Sequence, residues 1–282
     1  MTLVQNVSGD EWRGRVGDSW AAEWVRTDRS FAGLTGRLVD AVAQALPDDV
    51  GLERHRVLDI GCGAGETALR LARARPDLDV IGLDLSDELI ATARARAAGV
   101  PTLSFIAGDA SSWSPEAPFD AALSRHGVMF FDDPVAAFTN LRNLMARGAP
   151  LAFTCFAARD ANPWASEVAT LVGAPPPADP HGPGPFAFAD EAHVRGILAA
   201  AGWLGLAAER IDYRYVAGAG DEPVADAFDF FTRIGPAARL IATLDAVERA
   251  ALRPRMIDWL AAHVEEGEVR FPASAWLWRA TA

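Results

Sequence analysis

Three acidic side chains, each close to the end of a short apolar run, have types and spacing that could do chemistry. Asp59 stands in "VLDIG", Asp84 in "GLDLS" and Asp109 in "AGDAS". Carboxylates accept hydrogen bonds from an ammonium group, from paired ribose hydroxyls or from an exocyclic amine. Because parallel strands end at one edge of a sheet, the three acids are expected along a single ligand.

A glycine turn follows the first of these acids and limits what that ligand can be. Gly61, Gly63 and Gly65 alternate, and Glu66 comes next. Bare backbone amides at such a turn, with the positive end of a helix dipole, hold an anionic group. A phosphate loop would need Lys and then Ser or Thr after its last glycine, and a dinucleotide turn would place its third glycine one position later. The turn therefore favours a ligand with both an amine and a carboxylate.

The order of the acids along the chain extends this interpretation. Asp84 lies 21 positions beyond Gly63 and is placed to bridge ribose hydroxyls, and Asp109 is placed to accept from an amine such as that of adenine. An amino acid, a ribose and an adenine in sequence describe S-adenosylmethionine, which is the predicted cofactor.

Four segments carry a family resemblance: "VLDIGCGAGE", "GLDLS", "AGDAS" and "FDAALSRHGVMFFDDP". Together they resemble the class I S-adenosylmethionine-dependent methyltransferases, nearest to the subgroup of ubiquinone and menaquinone biosynthesis enzymes. The resemblance covers roughly residues 50–160. It implies a seven-stranded sheet with the final strand antiparallel, and methyl transfer (EC 2.1.1.-) to a small molecule.

The resemblance also assigns residues to parts of the cofactor. Asp59 and the three glycines would hold the methionine end, Asp84 the ribose, and Asp109 with Ala110 the adenine. Further predicted cofactor contacts are Cys62, Leu85, Ser124 and Trp20. One departure is the turn before the fifth strand, where "RGAP" replaces the common Pro-Gly-Gly, and it is remote from the cofactor.

The elements that must position these residues alternate along the chain. Strands are predicted at 57–60, 79–83, 102–107, 119–124 and 150–156, with helices at 66–75, 87–98 and 134–146. Short apolar strands separated by amphipathic helices predict an α/β fold with a doubly wound, mainly parallel sheet. The later elements are a helix at 190–201, a strand at 204–216, helix over most of 223–264 and a closing strand.

Three units are expected. Residues 1–50 form an N-terminal helical lid, with one helix over 11–46, and residues 51–160 form the Rossmann-like core that binds the cofactor. Residues 161–282 complete the sheet and carry an inserted substrate cap at about 161–189 and 220–268. Aromatic side chains concentrate outside the sheet, which indicates a lid over a pocket for a small, mostly apolar or aromatic acceptor.

Two residues after the fourth strand are the catalytic candidates. His126 could act as a general base, or form a flat wall beside the cofactor, or bond at a helix terminus. Arg125 could anchor an acidic substrate group or the cofactor carboxylate, or form a structural salt bridge. The sequence does not decide between these roles for either residue. No metal site is predicted, because no two histidines have ligand spacing.

Composition excludes several classes of partner. The net charge is −12 and all 26 basic residues are Arg, so a lysine Schiff base is excluded and nucleic acid is disfavoured. With two separated cysteines and no membrane span or signal core, the chain is expected to be soluble and cytoplasmic. A homodimer is left open. The alternatives are a cofactor-binding protein without turnover and, further off, a nicotinamide oxidoreductase.

Overall fold

A central sheet organises the protein, whose computed structural model describes residues 9–48, 54–175 and 177–282. The strands are β1 (Arg56–Ile60), β2 (Asp79–Asp84), β3 (Leu103–Ala107), β4 (Ala121–Arg125), β5 (Pro150–Phe156), β6 (Leu204–Gly218), β7 (Val264–Glu265) and β8 (Glu268–Thr281). Seven of them run in the order β3-β2-β1-β4-β5-β8-β6, and the two-residue β7 pairs with β8.

Strands β1 to β5 are parallel, and β8 is antiparallel to both β5 and β6. The predicted doubly wound sheet with an antiparallel closing strand is therefore confirmed. In this register Ile60 pairs with Leu83, and Leu83 pairs with Ile106, so the carboxyl ends of β1, β2 and β3 are level. That edge carries the predicted acids.

Helices cover both faces of the sheet. They are α1 (Gly9–Arg13), α2 (Arg15–Ala22), α3 (Trp24–Ser30), α4 (Ala32–Ala43), α5 (Glu66–Ala74), α6 (Asp87–Arg96), α7 (Pro134–Asn143), α8 (Pro163–Leu171), α9 (Glu191–Ala200), α10 (Pro223–Arg233), α11 (Gly235–Thr243) and α12 (Ala246–Ala261). One apolar core lies under α4, α5 and α6, and a larger one lies under α7, α8, α9 and α10.

Local signals explain the helices of the core well. The hydroxyl of Ser86 accepts from Leu89 N at 3.3 Å and starts α6, and the carboxylate of Asp133 accepts from Ala136 N at 2.9 Å and starts α7. Pro134 follows as the first residue of α7, where its missing N–H costs nothing. These caps fix the start of α6, which packs against β2 and β3, and of α7, which packs against α9.

The N-terminal segment differs from its prediction. Instead of one helix over 11–46, four short helices follow one another, with breaks at Gly14, Glu23 and Phe31. The breaks change the helix direction, so that Trp12, Trp20 and Phe31 come to line one cavity, which a single straight helix could not achieve. The region 223–264, predicted to be mostly helix, contains the three helices α10, α11 and α12, as expected.

None of the helices in the described ranges is long and apolar enough to cross a membrane. The Pro- and Gly-rich segment after α8 forms an irregular loop, and its Gly184 N donates to Met129 O at 3.1 Å.

Candidate functional site

A cavity of about 190 Å³ lies at the carboxyl edge of the sheet, beneath the N-terminal helices. From the sheet side it is lined by Gly61, Cys62, Gly63, Asp84, Leu85, Asp109, Ala110, Arg125 and His126. From the N-terminal helices, α8, α10 and β6 it is lined by Trp12, Trp20, Trp24, Phe31, Trp164, Tyr215, Phe230 and Phe231. The cavity thus joins the predicted cofactor residues to an aromatic chamber.

Glycine is needed at the three positions of the turn for different physical reasons. All three have a positive φ, which residues with a side chain rarely adopt. A Cβ on Gly61 would stand 2.9 Å from Gly127 Cα, and one on Gly65 would stand 2.7 Å from the Phe105 ring. A Cβ on Gly63 would meet nothing within 4 Å, because it would project into the cavity. Gly61 and Gly65 serve packing, whereas Gly63 leaves room for a ligand.

Asp84 braces the turn from the end of β2. One carboxylate oxygen accepts from Gly63 N at 2.8 Å and the other from Ser86 N at 3.0 Å. Burial raises the pKa of this carboxyl, and the backbone N–H groups oppose that shift. The carboxylate lines the cavity with lone pairs left to accept from hydroxyls.

Asp109 is the most exposed of the three acids, with a side chain 38% exposed. Its Oδ1 accepts from the N–H and hydroxyl of Ser111, and Arg13 of α1 lies 3.7 Å from its Oδ2. The neighbouring Ala110 is fixed by Asn140, whose side-chain amide donates to its carbonyl at 2.9 Å. Helix α1 therefore reaches the predicted adenine end.

Asp59 is buried just behind the cavity wall, at 1% exposure. Within the described residues neither carboxylate oxygen has a hydrogen-bond partner. Desolvation raises its pKa to about 7, although Arg125 acts in the opposite direction. Burying a carboxylate that accepts no hydrogen bond costs free energy of folding. The Asp59 side chain therefore indicates that a cationic ligand or a water binds beside it.

The other predicted cofactor residues divide into two groups. Cys62, Leu85 and Trp20 line the cavity. Ser124 does not: it is fully buried and its hydroxyl donates to Ile60 O at 2.7 Å, which holds the turn against β4. Ser124 therefore positions the glycine turn and does not itself line the cavity.

His126 forms a flat wall of the aromatic chamber. Its ring stacks on Phe156 at 4.1 Å between centroids and lies 4.9 Å from Phe31. Within the described part of the chain neither ring nitrogen has a hydrogen-bond partner, and its backbone is left-handed at φ 65°. Desolvation, and then the Arg125 charge, lower its pKa to about 3. A neutral, unbonded imidazole favours the wall over the general base.

Arg125 lines the cavity but already has partners. Its guanidinium donates to Thr35 Oγ1 at 2.8 Å and to Asp28 Oδ1 at 3.3 Å. Asp28 in turn receives Arg96 at 2.6 Å. This arrangement favours the structural salt bridge over an anchor for a substrate acid.

Sequence reasoning missed Asp28 and Arg96 as parts of this wall. Asp28 comes from α3 and Arg96 from α6, which are 68 positions apart and share no motif. The Arg96 guanidinium also stacks on Trp24, 3.9 Å from its ring centroid. Only the packing of the lid on the core brings these residues together.

The fold and the cavity together indicate the class of protein. The fold is a doubly wound sheet with an antiparallel closing strand, and the site is a glycine turn with acids at successive strand ends. Residues 57–148, about a third of the chain, match the methyltransferase domain family. This segment is a class I S-adenosylmethionine-dependent methyltransferase domain. The resemblance to the ubiquinone and menaquinone subgroup stays a prediction.

Two curated relatives each match a little over a third of the chain. Trans-aconitate 2-methyltransferase of Methylobacterium radiotolerans is 36% identical over 104 residues, which are 36% of this chain and 39% of that protein. Malonyl-[acyl-carrier protein] O-methyltransferase 1 of Ilyobacter polytropus is 28% identical over 104 residues, 37% of this chain and 39% of that protein. The chain thus spans about two fifths of the length of these relatives.

A solved structure resembles the whole chain. The [4+2]-cyclase SpnF superposes with a TM-score of 0.57 at 20% identity, covering 99% of this chain and 98% of that one. At this identity the likeness establishes the fold alone. Within the described residues no group of three or more His, Cys, Asp or Glu side chains could hold a metal ion.

Proposed function

We propose that this protein transfers a methyl group from S-adenosylmethionine to a small, mostly apolar or aromatic metabolite. One observation carries the proposal: a single cavity is lined at one end by the glycine turn, Asp84 and Asp109, and at the other by aromatic side chains. A zwitterionic nucleoside suits the first end, and an apolar acceptor suits the second.

The residues of the polar end fit the cofactor in three places. The unpartnered carboxylate of Asp59 supplies an acceptor for the ammonium group, and the open side of Gly63 leaves space for the methionine part. Asp84 accepts from the ribose hydroxyls while the backbone holds it in place. Asp109 and Ala110 receive the adenine. When bound, the cofactor supplies a methyl group on a sulfonium, which is a good leaving group.

At the apolar end the chain contributes orientation and exclusion of water. His126, Phe156 and Trp164 form flat walls against which a ring can lie. Methyl transfer from a sulfonium needs chiefly an acceptor held in line with the methyl and shielded from solvent. With a pKa of about 3, His126 stays neutral throughout the physiological range and serves as wall rather than base.

The relatives' names support the chemical class without fixing the acceptor. They are methyltransferases of trans-aconitate and of malonyl-[acyl-carrier protein], and this chain spans about two fifths of the length of each.

We propose a lid at residues 1–50, of which the structure describes 9–48, a core at 51–160 and the remaining sheet with its cap at 161–282. Two free, buried cysteines support a reducing, cytoplasmic setting.

Calorimetry with S-adenosylhomocysteine, followed by an assay of its release from S-adenosylmethionine with pooled metabolites, tests the proposal. Binding together with acceptor-dependent release supports methyl transfer. Binding without release from any pool would favour a cofactor-binding protein without turnover or, as in SpnF, a different reaction on the same fold. A thermal shift with NAD(P) and none with the nucleoside would favour an oxidoreductase.

A further inference from the structure

Arg159 lies just beyond the aromatic end of the cavity and has no acidic partner. It belongs to a short turn, Arg159–Ala161, that follows β5, and the last residue of β5 is the cavity-lining Phe156. Among the described residues its guanidinium forms no ion pair with a carboxylate and donates no side-chain hydrogen bond. Partial burial lowers the pKa of this group by desolvation.

The contrast with Arg125 shows why this lack of a partner matters. Arg125 lines the same cavity, but Asp28 and Thr35 occupy its donors. A half-buried cation without a partner is unfavourable in the isolated protein, and a bound anion would offset that cost. Of these two arginines, Arg125 lines the cavity and Arg159 lies behind it on the Phe186 ring, and Arg159 has the free donors.

Stacked rings connect Arg159 to the chamber. Its guanidinium lies 4.7 Å from the Phe186 ring centroid. The Phe186 ring contacts Phe156 at 5.6 Å and Trp164 at 6.2 Å, and both of these line the cavity. The cation therefore sits at the outer side of the aromatic wall, at the edge of the substrate end.

Asn162 holds the turn that carries Arg159. Its amide nitrogen donates to Ala158 O at 3.0 Å and to Ser274 O at 3.1 Å. Its oxygen accepts from Ser274 N at 3.1 Å and from the indole N–H of Trp164 at 3.2 Å. One fully buried amide thus fixes both the turn and an aromatic wall, so the guanidinium is presented on a rigid support.

We propose that Arg159 binds a carboxylate on the methyl acceptor, whose apolar or aromatic body lies in the cavity against Phe156 and Trp164. A single planar guanidinium matches a single carboxylate through two parallel hydrogen bonds. The substrate class is then an aromatic or apolar acid, not a neutral compound. This inference rests on the proposed function, since it concerns the acceptor end of that site.

The test uses the full chain saturated with S-adenosylhomocysteine. Matched pairs of an acid and its amide, trans-cinnamate with cinnamamide and 3-phenylpropanoate with 3-phenylpropanamide, are titrated by calorimetry. The acids are expected to bind about tenfold or more tighter than the amides. Arg159→Gln is expected to abolish that preference while the amides bind as before.

Arg253→Gln is the matched control, because its guanidinium also stacks on a phenylalanine, Phe228, at 5.2 Å, but on the exposed side of α12. It is expected to keep the preference for acids. Equal affinity for acid and amide in the unaltered protein, no binding of any acid, or a preference that survives Arg159→Gln overturns the inference. Failure of the unaltered protein to bind S-adenosylhomocysteine contradicts the proposed function instead, and unchanged binding of it by Arg159→Gln shows that this variant is folded.

Discussion

At the scale of the residue, Asp59 combines a cost in stability with the binding role that we propose for it. Its pKa of about 7 in the folded protein lies above the ordinary value of 3.8, because burial disfavours the charged form. The folded state then holds a proton that the unfolded state has lost, so stability falls as pH rises from about 4 to 7. A cationic ligand beside the carboxylate would reverse this preference for the neutral form.

Cofactor affinity is therefore expected to depend on pH through Asp59. Only the ionised carboxylate pairs with an ammonium group, and with a pKa of about 7 the ionised fraction rises about tenfold between pH 6 and pH 8. The association constant for S-adenosylhomocysteine should rise by the same factor in calorimetry. Asp59→Asn should bind weakly at both pH values, whereas the exposed Asp40→Asn should behave as the unaltered protein.

An affinity of Asp59→Asn equal to that of the unaltered protein at pH 8 would contradict this assignment. In that case the carboxylate would serve only the internal packing of β1.

His126 is expected to tolerate replacement by another flat ring. Its imidazole stacks on Phe156 and forms no side-chain hydrogen bond among the described residues. His126→Phe should keep the rate of S-adenosylhomocysteine release with an active metabolite pool within about threefold. The pH profile between 6 and 9 should be unchanged. A loss of about a hundredfold or more, with the cofactor still bound, would instead assign His126 to proton transfer.

At the scale of the element, the five residues 61–65 connect β1 to α5, and they must both pack against the core and leave space for a ligand. Gly61 contacts Gly127 and Gly65 contacts Phe105, so neither tolerates a side chain. Gly63 faces open space and donates its N–H to Asp84. One turn thus links β1, β2 and α5 while it keeps its middle residue free.

Gly63→Ala should separate binding from folding. Gly99, at the end of α6, also has positive φ and open surroundings, but it lies outside the cavity lining. Both alanine variants should lose about 1 to 2 kcal/mol of stability from the left-handed backbone. Only Gly63→Ala should lose S-adenosylhomocysteine affinity, by about tenfold or more, because its methyl group enters the cavity. Equal affinities of the two variants in calorimetry would show that the ligand does not approach Gly63.

At the scale of the whole molecule, ion pairs fasten the N-terminal helices over the cavity. Asp226 of α10 receives Arg26 and Arg29 of α3, each at 2.7 Å. The buried Glu23 receives Arg26 at 2.6 Å and Arg233 at 2.8 Å. These contacts join α3 to α10, so we expect a ligand below α3 to leave faster when they loosen.

Asp226→Asn is expected to speed the release of S-adenosylhomocysteine about three- to tenfold, since two half-buried guanidinium groups lose their charged partner. Stopped-flow tryptophan fluorescence measures the rate. Raising the salt concentration should speed release from the unaltered protein more than from the variant. Asp212→Asn, which removes an exposed pair with Arg210 on β6, is the control. Release that is unaffected by Asp226→Asn would assign the exit path elsewhere.

Sequence alone determined the parts of the site that depend on neighbouring residues. The strand, the alternating glycines and the acids at successive strand ends stand in short local motifs, and the caps at Ser86 and Asp133 act within four residues. Because parallel strands share an edge, those motifs sufficed to predict the sheet and the cavity residues Gly63, Asp84 and Asp109, whereas the antiparallel closing strand was implied by the family resemblance.

Only the tertiary structure decided which charged and aromatic groups meet across the lid and the cap. It paired Arg125 with Asp28, stacked His126 on Phe156, turned Ser124 towards Ile60 and divided the first predicted helix into four. Each of these outcomes depends on contacts between segments distant in the chain, and on the burial that moves a pKa. Local patterns do not encode such contacts, since they are selected by packing the whole chain around one core.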